Sequence, residues 1–222
     1  MKIQVVTNVL AANERIADEN RSLFAAKRIY VINLMSSPGA GKTSLVEKTI
    51  LALRNRFRIG VIEGDIQSTQ DADRVAALDI PVVQINTGGG CHLDANMVRE
   101  ALASLDIDKL DLLIVENVGN LVCPAEFQIG EDAKVMILST AEGADKPLKY
   151  PLIFQESSVM LLNKIDLLPY LDFDVEKARK ASLSLNPDLE IFPVSCRTGE
   201  GLAGWFDWLG KRVAAAREGK TR

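Results

Sequence analysis

The segment SSPGAGKTS (36–44) constrains this chain more than any other. It follows an apolar run, IYVINLM (29–35), and opens a helical pattern from residue 42 onward. Glycines at 39 and 41 allow backbone angles closed to other residues, so successive N–H groups can turn into one concave cradle. Lys42 and Thr43 then stand where a phosphate-binding loop needs them: the ammonium on the β- and γ-phosphates, the hydroxyl on Mg²⁺. Gly39, Ala40, Gly41, Lys42, Thr43 and Ser44 are the expected phosphate contacts. Ser36 occupies the place where the pattern has its first glycine. A glycine-rich turn without a ligand is the alternative, and the strand before it and helix after it argue against that. The segment is read as a nucleoside triphosphate site.

Seven short apolar runs fit strands: 29–35, 58–64, 81–86, 110–116, 133–140, 158–163 and 189–194. Helical spacing lies between them, at about 42–55, 70–78, 94–105, 147–156, 174–185 and 202–217, and before them at about 8–27, where Val9, Leu10, Ile16, Leu23 and Phe24 suggest an apolar stripe. Near-continuous apolar strands alternating with helices indicate a mainly parallel sheet covered on both faces, an α/β fold of the P-loop NTPase type. The expected organisation is an N-terminal helical extension (1–28) on one P-loop domain (29–222). No apolar run reaches the ~20 residues of a membrane helix, and the first twenty residues lack the core of a signal peptide. The formal net charge of −4 offers no field for nucleic acid or anionic lipid. Arg54, Arg56 and Arg58 read as a solvated helix end. A cytoplasmic protein is expected, in which three well-separated cysteines are free thiols or metal ligands.

LLNKID (161–166) supplies Asn163, Lys164 and Asp166 in N-K-x-D spacing at the end of a strand. One carboxylate can accept both the N1–H and the exocyclic amine of guanine, whereas adenine leaves it unpaired. SCRTG (195–199) follows the next strand, and its loop of Ser195, Cys196 and Arg197 can offer N–H groups to guanine O6. Together these specify GTP and disfavour a small-molecule kinase. Glu116 ends the strand LDLLIVE, placing a carboxylate near Mg²⁺, with Gly119 N–H close to the γ-phosphate. In GDIQSTQDADR (64–74), Asp65 ends a strand at the nucleotide edge. Asp71 reads equally as a magnesium ligand or as a first-turn helix acid, and Asp73 adds a further carboxylate. Thr43, Asp65, Asp71 and Glu116 are thus the magnesium candidates, and Lys42, Thr43, Asp65 and Glu116 the catalytic ones. No glutamine stands in an obvious water-positioning place, so slow intrinsic hydrolysis, used as a switch, is expected.

TGGGCHLDAN (87–96) holds the single histidine, His92, directly after Cys91. Alone, the pair reads best as a buried thiol beside a helix-capping imidazole. Cys123, however, follows the strand that ends in Glu116, and both loops leave strand ends on the nucleotide side. Thiolates with imidazole suit Zn²⁺ and also Ni²⁺ or copper. Three ligands leave a tetrahedral site one short, a place for water or for the same set from a two-fold-related chain. Gly88, Gly89 and Gly90 can supply a hinge that lets this site respond to the γ-phosphate. Cys196 reads as a packing residue.

The stretches SSPGAGKTS, EGDIQSTQDADR, TGGGCHLDANMV, ENVGNLVCPAEF, ADKPLKYP, LLNKIDLLPY and SCRTGEGL resemble, in order, the nickel-incorporation GTPases of hydrogenase maturation, the HypB family of SIMIBI-class P-loop GTPases. GCHLDA with ENVGNLVCPAEF is the specific part, since the related urease-accessory GTPases carry a different Cys-Pro-His arrangement. The resemblance implies a metallochaperone that uses its GTP cycle to help insert nickel into the hydrogenase large subunit, alongside other maturation proteins. It further implies a GTP-dependent homodimer with zinc or nickel on Cys91, His92 and Cys123 near the interface, and a lysine of ADKPLKYP (Lys146 or, preferentially, Lys149) reaching the partner's nucleotide. Residues 1–28 contain neither the Cys-x-x-Cys motif nor the histidine-rich stretch found in some members. Two readings compete: a urease-type nickel accessory GTPase, and a regulatory GTPase with structural zinc.

Overall fold

In the computed structural model, residues 9–66 and 70–219 are described; Gln67, Ser68 and Thr69 of the loop after the second strand, and residue 8 of the expected first helix, lie outside them. All seven expected strands form: β1 (Tyr30–Ser36), β2 (Ile59–Asp65), β3 (Val82–Asn86), β4 (Leu112–Glu116), β5 (Ala133–Ser139), β6 (Val159–Asn163) and β7 (Glu190–Pro193). They pair in one sheet, ordered β3-β2-β4-β1-β5-β6-β7, with each neighbouring pair parallel.

The central strands are buried on both sides, so alternate residues enter different cores. Ile32 and Leu34 of β1 face helices α2 (Lys42–Leu53), α3 (Gln70–Ala76) and α9 (Leu202–Arg217), where Leu45, Ile50, Val75 and Trp205 join them. Val31 faces α1 (Val9–Lys27) and α4 (Ala95–Leu102), through Phe24 and Val98. Met35 packs with Ile153 and Phe154 of α7 (Pro151–Glu156) and Ala178 of α8 (Val175–Leu185). Because every strand runs the same way, the loops after β1, β2, β3, β4, β6 and β7 all emerge at one edge. After β1 the chain passes to β2 on one side, and after the neighbouring β4 it passes to β5 on the other, the switch-point geometry at which open α/β sheets bind ligands.

Four local readings change. The helix expected at 147–156 is two pieces, α6 (Lys146–Lys149) and α7, because Tyr150 precedes a proline and sits at φ −131° and ψ 61°, outside the helical region. A short helix, α5 (Cys123–Glu126), forms on Pro124 where none was expected. Arg58 is not part of a solvated helix end: its guanidinium and backbone N–H all bond the buried Asp111, at 2.8–3.1 Å, pinning the start of β2. The stripe that α1 buries is Asn13, Ala17, Asn20 and Phe24, while Leu10 is exposed.

That half-polar stripe explains why α1 belongs to the body of the protein. Asn20 Nδ2 donates to the Ala95 and Ile129 carbonyls at 2.9 and 3.1 Å, and Arg99 donates to its Oδ1. Asn13 accepts from Ala95 N and donates to Gln128 O, both at 2.8 Å. One helix thus fastens the start of α4 to the loop after α5. Removing a buried donor strands its acceptors, at about 1–3 kcal/mol. Asn20→Ala should therefore lower the unfolding free energy by about 2 kcal/mol in urea titrations, whereas Ala→Ser changes on the exposed face of α1 should leave it within about 0.5 kcal/mol.

Candidate nucleotide and metal site

The phosphate loop has the geometry its glycines permit. Gly39 and Gly41 lie at φ 72° and 106°, and a Cβ on Gly41 would come within 2.5 Å of Asn163 Nδ2. Lys42 Nζ donates to Ser36 Oγ at 3.2 Å, so the serine in place of the first glycine gives the lysine a resting partner. Thr43 Oγ1 donates to Glu116 Oε1 at 3.0 Å.

Beside this loop is a recess of about 240 Å³ lined by Lys42, Glu63, Asp65, Asp71, Glu116 and Gly119 among others. Asp73, also in the first turn of α3, faces solvent. Asp71 is held by Arg74 at 3.2 Å, and Arg74 reaches on to Glu47 of α2 at 2.7 Å. One acid lining this recess, Glu63, lies outside the expected magnesium set. It pairs in register with Glu116 across β2 and β4, and both side chains are buried, 2% and 3% exposed. Burial, then the charge of Glu116, pushes Glu63 up to about 10; burial pushes Glu116 to about 7 against the pull of Lys42. Glu63 Oε1 and Glu116 Oε2 have no hydrogen-bond partner. Two buried carboxylates with free oxygens beside a threonine hydroxyl form a donor set suited to a hard divalent cation. A glutamate within the apolar run RIGVIEG was the available signal.

A second recess, about 270 Å³, is lined by Gly41, Ser44, Asn163, Lys164, Asp166 and Arg197, with Leu167 and Cys196. Asn163 bridges the loops: it donates to Ala40 O at 2.8 Å and accepts from Cys196 N at 3.1 Å. Lys164, in the left-handed region at φ 66°, lays its side chain over the phosphate loop and donates to Gly39 O at 2.7 Å. Asp166 Oδ1 accepts from Ser195 Oγ at 2.6 Å, which aims the carboxylate. The Cys196 and Thr198 N–H groups already bond Asn163 and Ser195, so they brace the loop instead of standing free for a base. Cys196 is buried with its thiol pushed up to about 11 by desolvation, which suits packing.

Cys91, His92 and Cys123 come together, their ligating atoms all within 4.8 Å of one another. The sulfurs are 2.9 Å apart, and His92 Nδ1 is 3.5 Å from Cys91 Sγ. The imidazole lies over Phe127, ring centroids 4.0 Å apart, and desolvation lowers its pKa, favouring the neutral form that ligates metals. The hydrogen bond from Cys91 raises the Cys123 pKa. Gly88 and Gly89, at φ 59° and 104°, turn the chain before Cys91. Lys134, buried in β5, donates to Ala125 O at 2.6 Å and so holds the turn that carries Cys123. Lys149 is exposed and paired with Asp145 at 2.6 Å, and it lines neither recess. Among the described residues no helix is long and apolar enough to cross a membrane.

A phosphate loop at the sheet's switch point, an N-K-x-D loop beside it and a Cys/His cluster at the same edge define a P-loop nucleotide-binding protein with an appended cluster of metal-ligating residue types. The model of the CobW/HypB/UreG nucleotide-binding domain matches residues 30–193. Hydrogenase maturation factor HypB of Escherichia coli K12 is 51% identical over 207 residues, 93% of this chain and 71% of its own length; that of Azotobacter vinelandii is 54% identical over 93% and 68%. The crystal structure of Helicobacter pylori HypB in complex with nickel superimposes with a TM-score of 0.87 at 35% identity, covering 95% of this chain and 98% of that one. The chain belongs to the HypB family of hydrogenase maturation factors.

The raised carboxyl pKa values predict a pH signature. In the cation-free protein these two groups hold protons that the unfolded chain releases near pH 4.5, so their contribution to stability is full below that pH. It is lost as pH rises, to about 7 for Glu116 and about 10 for Glu63. Between pH 5 and 8 the unfolding free energy of the metal-free protein should fall. Glu63→Gln should flatten that slope, and millimolar Mg²⁺ should restore stability to wild type more than to the variant. Parallel urea titrations of the two proteins would show it.

Proposed function

We propose that this chain binds and slowly hydrolyses GTP and uses the cycle to help insert nickel into the large subunit of a hydrogenase. The observation that carries the reading is the assembly of Cys91, His92 and Cys123 at the edge that also holds the phosphate loop. A zinc site that merely supported the fold would be closed and buried; here Cys91 is exposed and three ligands leave a coordination place open. That open place suits a metal that must leave.

In this reading Lys42 neutralises the β- and γ-phosphates, while Thr43, Glu63 and Glu116 would hold Mg²⁺, with Asp65 and Asp71 as further carboxylates lining the same recess. The cation supplies charge for the transferring phosphoryl group. Asp166 selects guanine, aimed by Ser195, and Asn163 and Lys164 fix the loop on which it rides. Gly119 sits with its backbone against Pro38, where its N–H can meet the γ-phosphate. The three glycines before Cys91 serve as the hinge of the metal loop. A second copy of the chain completes the assembly on GTP binding. Ile66, Val122 and Leu148 are large apolar side chains left 46%, 47% and 67% exposed. Ile66 and Val122 follow β2 and β4 at this edge, and Lys149, next to Leu148, would exchange its exposed pair with Asp145 for a partner's nucleotide. The nickel carried in the H. pylori structure supports nickel as cargo. The protein works in the cytoplasm with other hydrogenase maturation proteins.

Two measurements test this. Asp166→Asn should cut the preference for GTP over ATP by ~100-fold or more, since the paired acceptor for guanine is lost; retained preference would overturn the base assignment. Zinc and nickel stoichiometry should fall from one per chain toward zero in Cys91→Ala, His92→Ala and Cys123→Ala. Unchanged binding in all three would return these residues to packing roles.

A further inference from the structure

Metal loop and nucleotide site meet at one buried side chain, that of Asn117. It directly follows Glu116 and is 0% exposed. Its backbone N–H donates to Leu34 O at 2.9 Å, extending the ladder to β1 just before the phosphate loop. Its Oδ1 accepts two N–H groups, Leu93 at 2.9 Å and Val118 at 3.0 Å. Its Nδ2 donates to Asn33 Oδ1 at 3.1 Å, and Asn33 donates to Glu131 at 3.4 Å. Every polar atom of the amide is therefore committed, and the partner that matters is Leu93, the residue after His92.

Leu93 is itself fixed from the other side. Its buried side chain sits over Gly64, where a Cβ would fall 2.7 Å from Leu93 Cδ1. Gly64 precedes Asp65 in β2. The loop bearing Cys91 and His92 is thus held between the strand ends that carry the carboxylates of the cation recess, Asp65 on one side and Glu116 on the other. The segment after Asn117 touches both sites as well. A Cβ on Gly119 would lie 3.0 Å from Pro38 of the phosphate loop, and Asn120 Nδ2 donates to the Cys91 carbonyl at 3.3 Å. Three residues later the same segment delivers Cys123.

We propose that Asn117 is the positioning residue through which the occupancy of the γ-phosphate and cation recess sets the geometry of the Cys91–His92–Cys123 cluster. The inference rests on the proposed GTP-linked metal cycle. Any shift of the 116–119 backbone toward a γ-phosphate must carry the amide, because its backbone and side chain are both bonded. The amide in turn must move Leu93 N–H or leave it unpaired in a dry interior, which is costly enough to make the loop follow. Asn120 moves the Cys91 carbonyl in the same direction. Coupling between the sites then needs no other element, and by linkage it acts equally in both directions.

The test uses the full chain with Mg²⁺ and either GDP or a non-hydrolysable GTP analogue, and Zn²⁺ as probe, measured by competition with a chromophoric chelator. Wild type should show zinc affinities differing at least ~5-fold between the nucleotides. Asn117→Ser, whose hydroxyl cannot span to Leu93 N–H, should bring that ratio to within 2-fold while still binding one zinc per chain. Asn120→Ala should reduce the ratio part of the way. A residue that only stabilised the fold would lower both affinities together, so an unchanged ratio in Asn117→Ser overturns the proposal. A wild-type ratio of one instead removes the nucleotide-linked metal cycle itself. Should Asn117→Ser not fold, amide exchange in wild type decides: Leu93 N–H protection must change at least 10-fold between the two nucleotides, and equal protection overturns the proposal.

Discussion

The end of β4 is the rung on which both sites hang. Its last residue, Glu116, is paired in register with Leu34 on β1 and Glu63 on β2, so three strand ends share one level. From that level β1 runs into the phosphate loop, β2 into Asp65, and β4 into Asn117 and Cys123. Parallel pairing does this without special residues: equal direction and fixed register bring the loops to one edge, and the alternation of side chains decides which groups point into it.

The cost of the arrangement is visible in the same place. A carboxylate pair in an apolar sheet, with one oxygen on each side chain left without a partner, opposes folding. Among the other described residues the buried polar side chains have partners: Arg58 for Asp111, two carbonyls and a guanidinium for Asn20, Ala178 O at 2.8 Å for Ser182. Two acids that keep one oxygen each without a partner, beside the phosphate loop, are suited to a ligand that supplies positive charge. Glu63 therefore belongs with Thr43 and Glu116 in any account of how a cation is held.

Much of this was legible before the structure. The strands were apolar enough to be found singly, and the phosphate loop, N-K-x-D and Cys-His motifs each place their chemistry within a few residues. What escaped the sequence depends on pairing across distance. Glu63 looked like one acid in a strand until register set it against Glu116. Nothing local to Asn117 shows that its amide reaches Leu93, twenty-four residues earlier. The buried face of α1 differs from the apolar stripe because it includes Asn13 and Asn20, which bond the start of α4 and the 128–129 backbone instead of excluding water. Tyr150 before Pro151 did carry a local signal, and the helical period hid it.

In the proposed cycle one mechanical unit binds both nucleotide and metal. The coupling is tested most directly from the nucleotide side, by calorimetric titration of GDP and of a non-hydrolysable GTP analogue into the Mg²⁺-containing protein with and without one equivalent of zinc. Linkage requires zinc to change the ratio of the two nucleotides' dissociation constants by the same factor through which exchanging GDP for the analogue changes zinc affinity, at least ~5-fold. An unchanged ratio, in a protein that binds zinc and both nucleotides, would contradict this coupling.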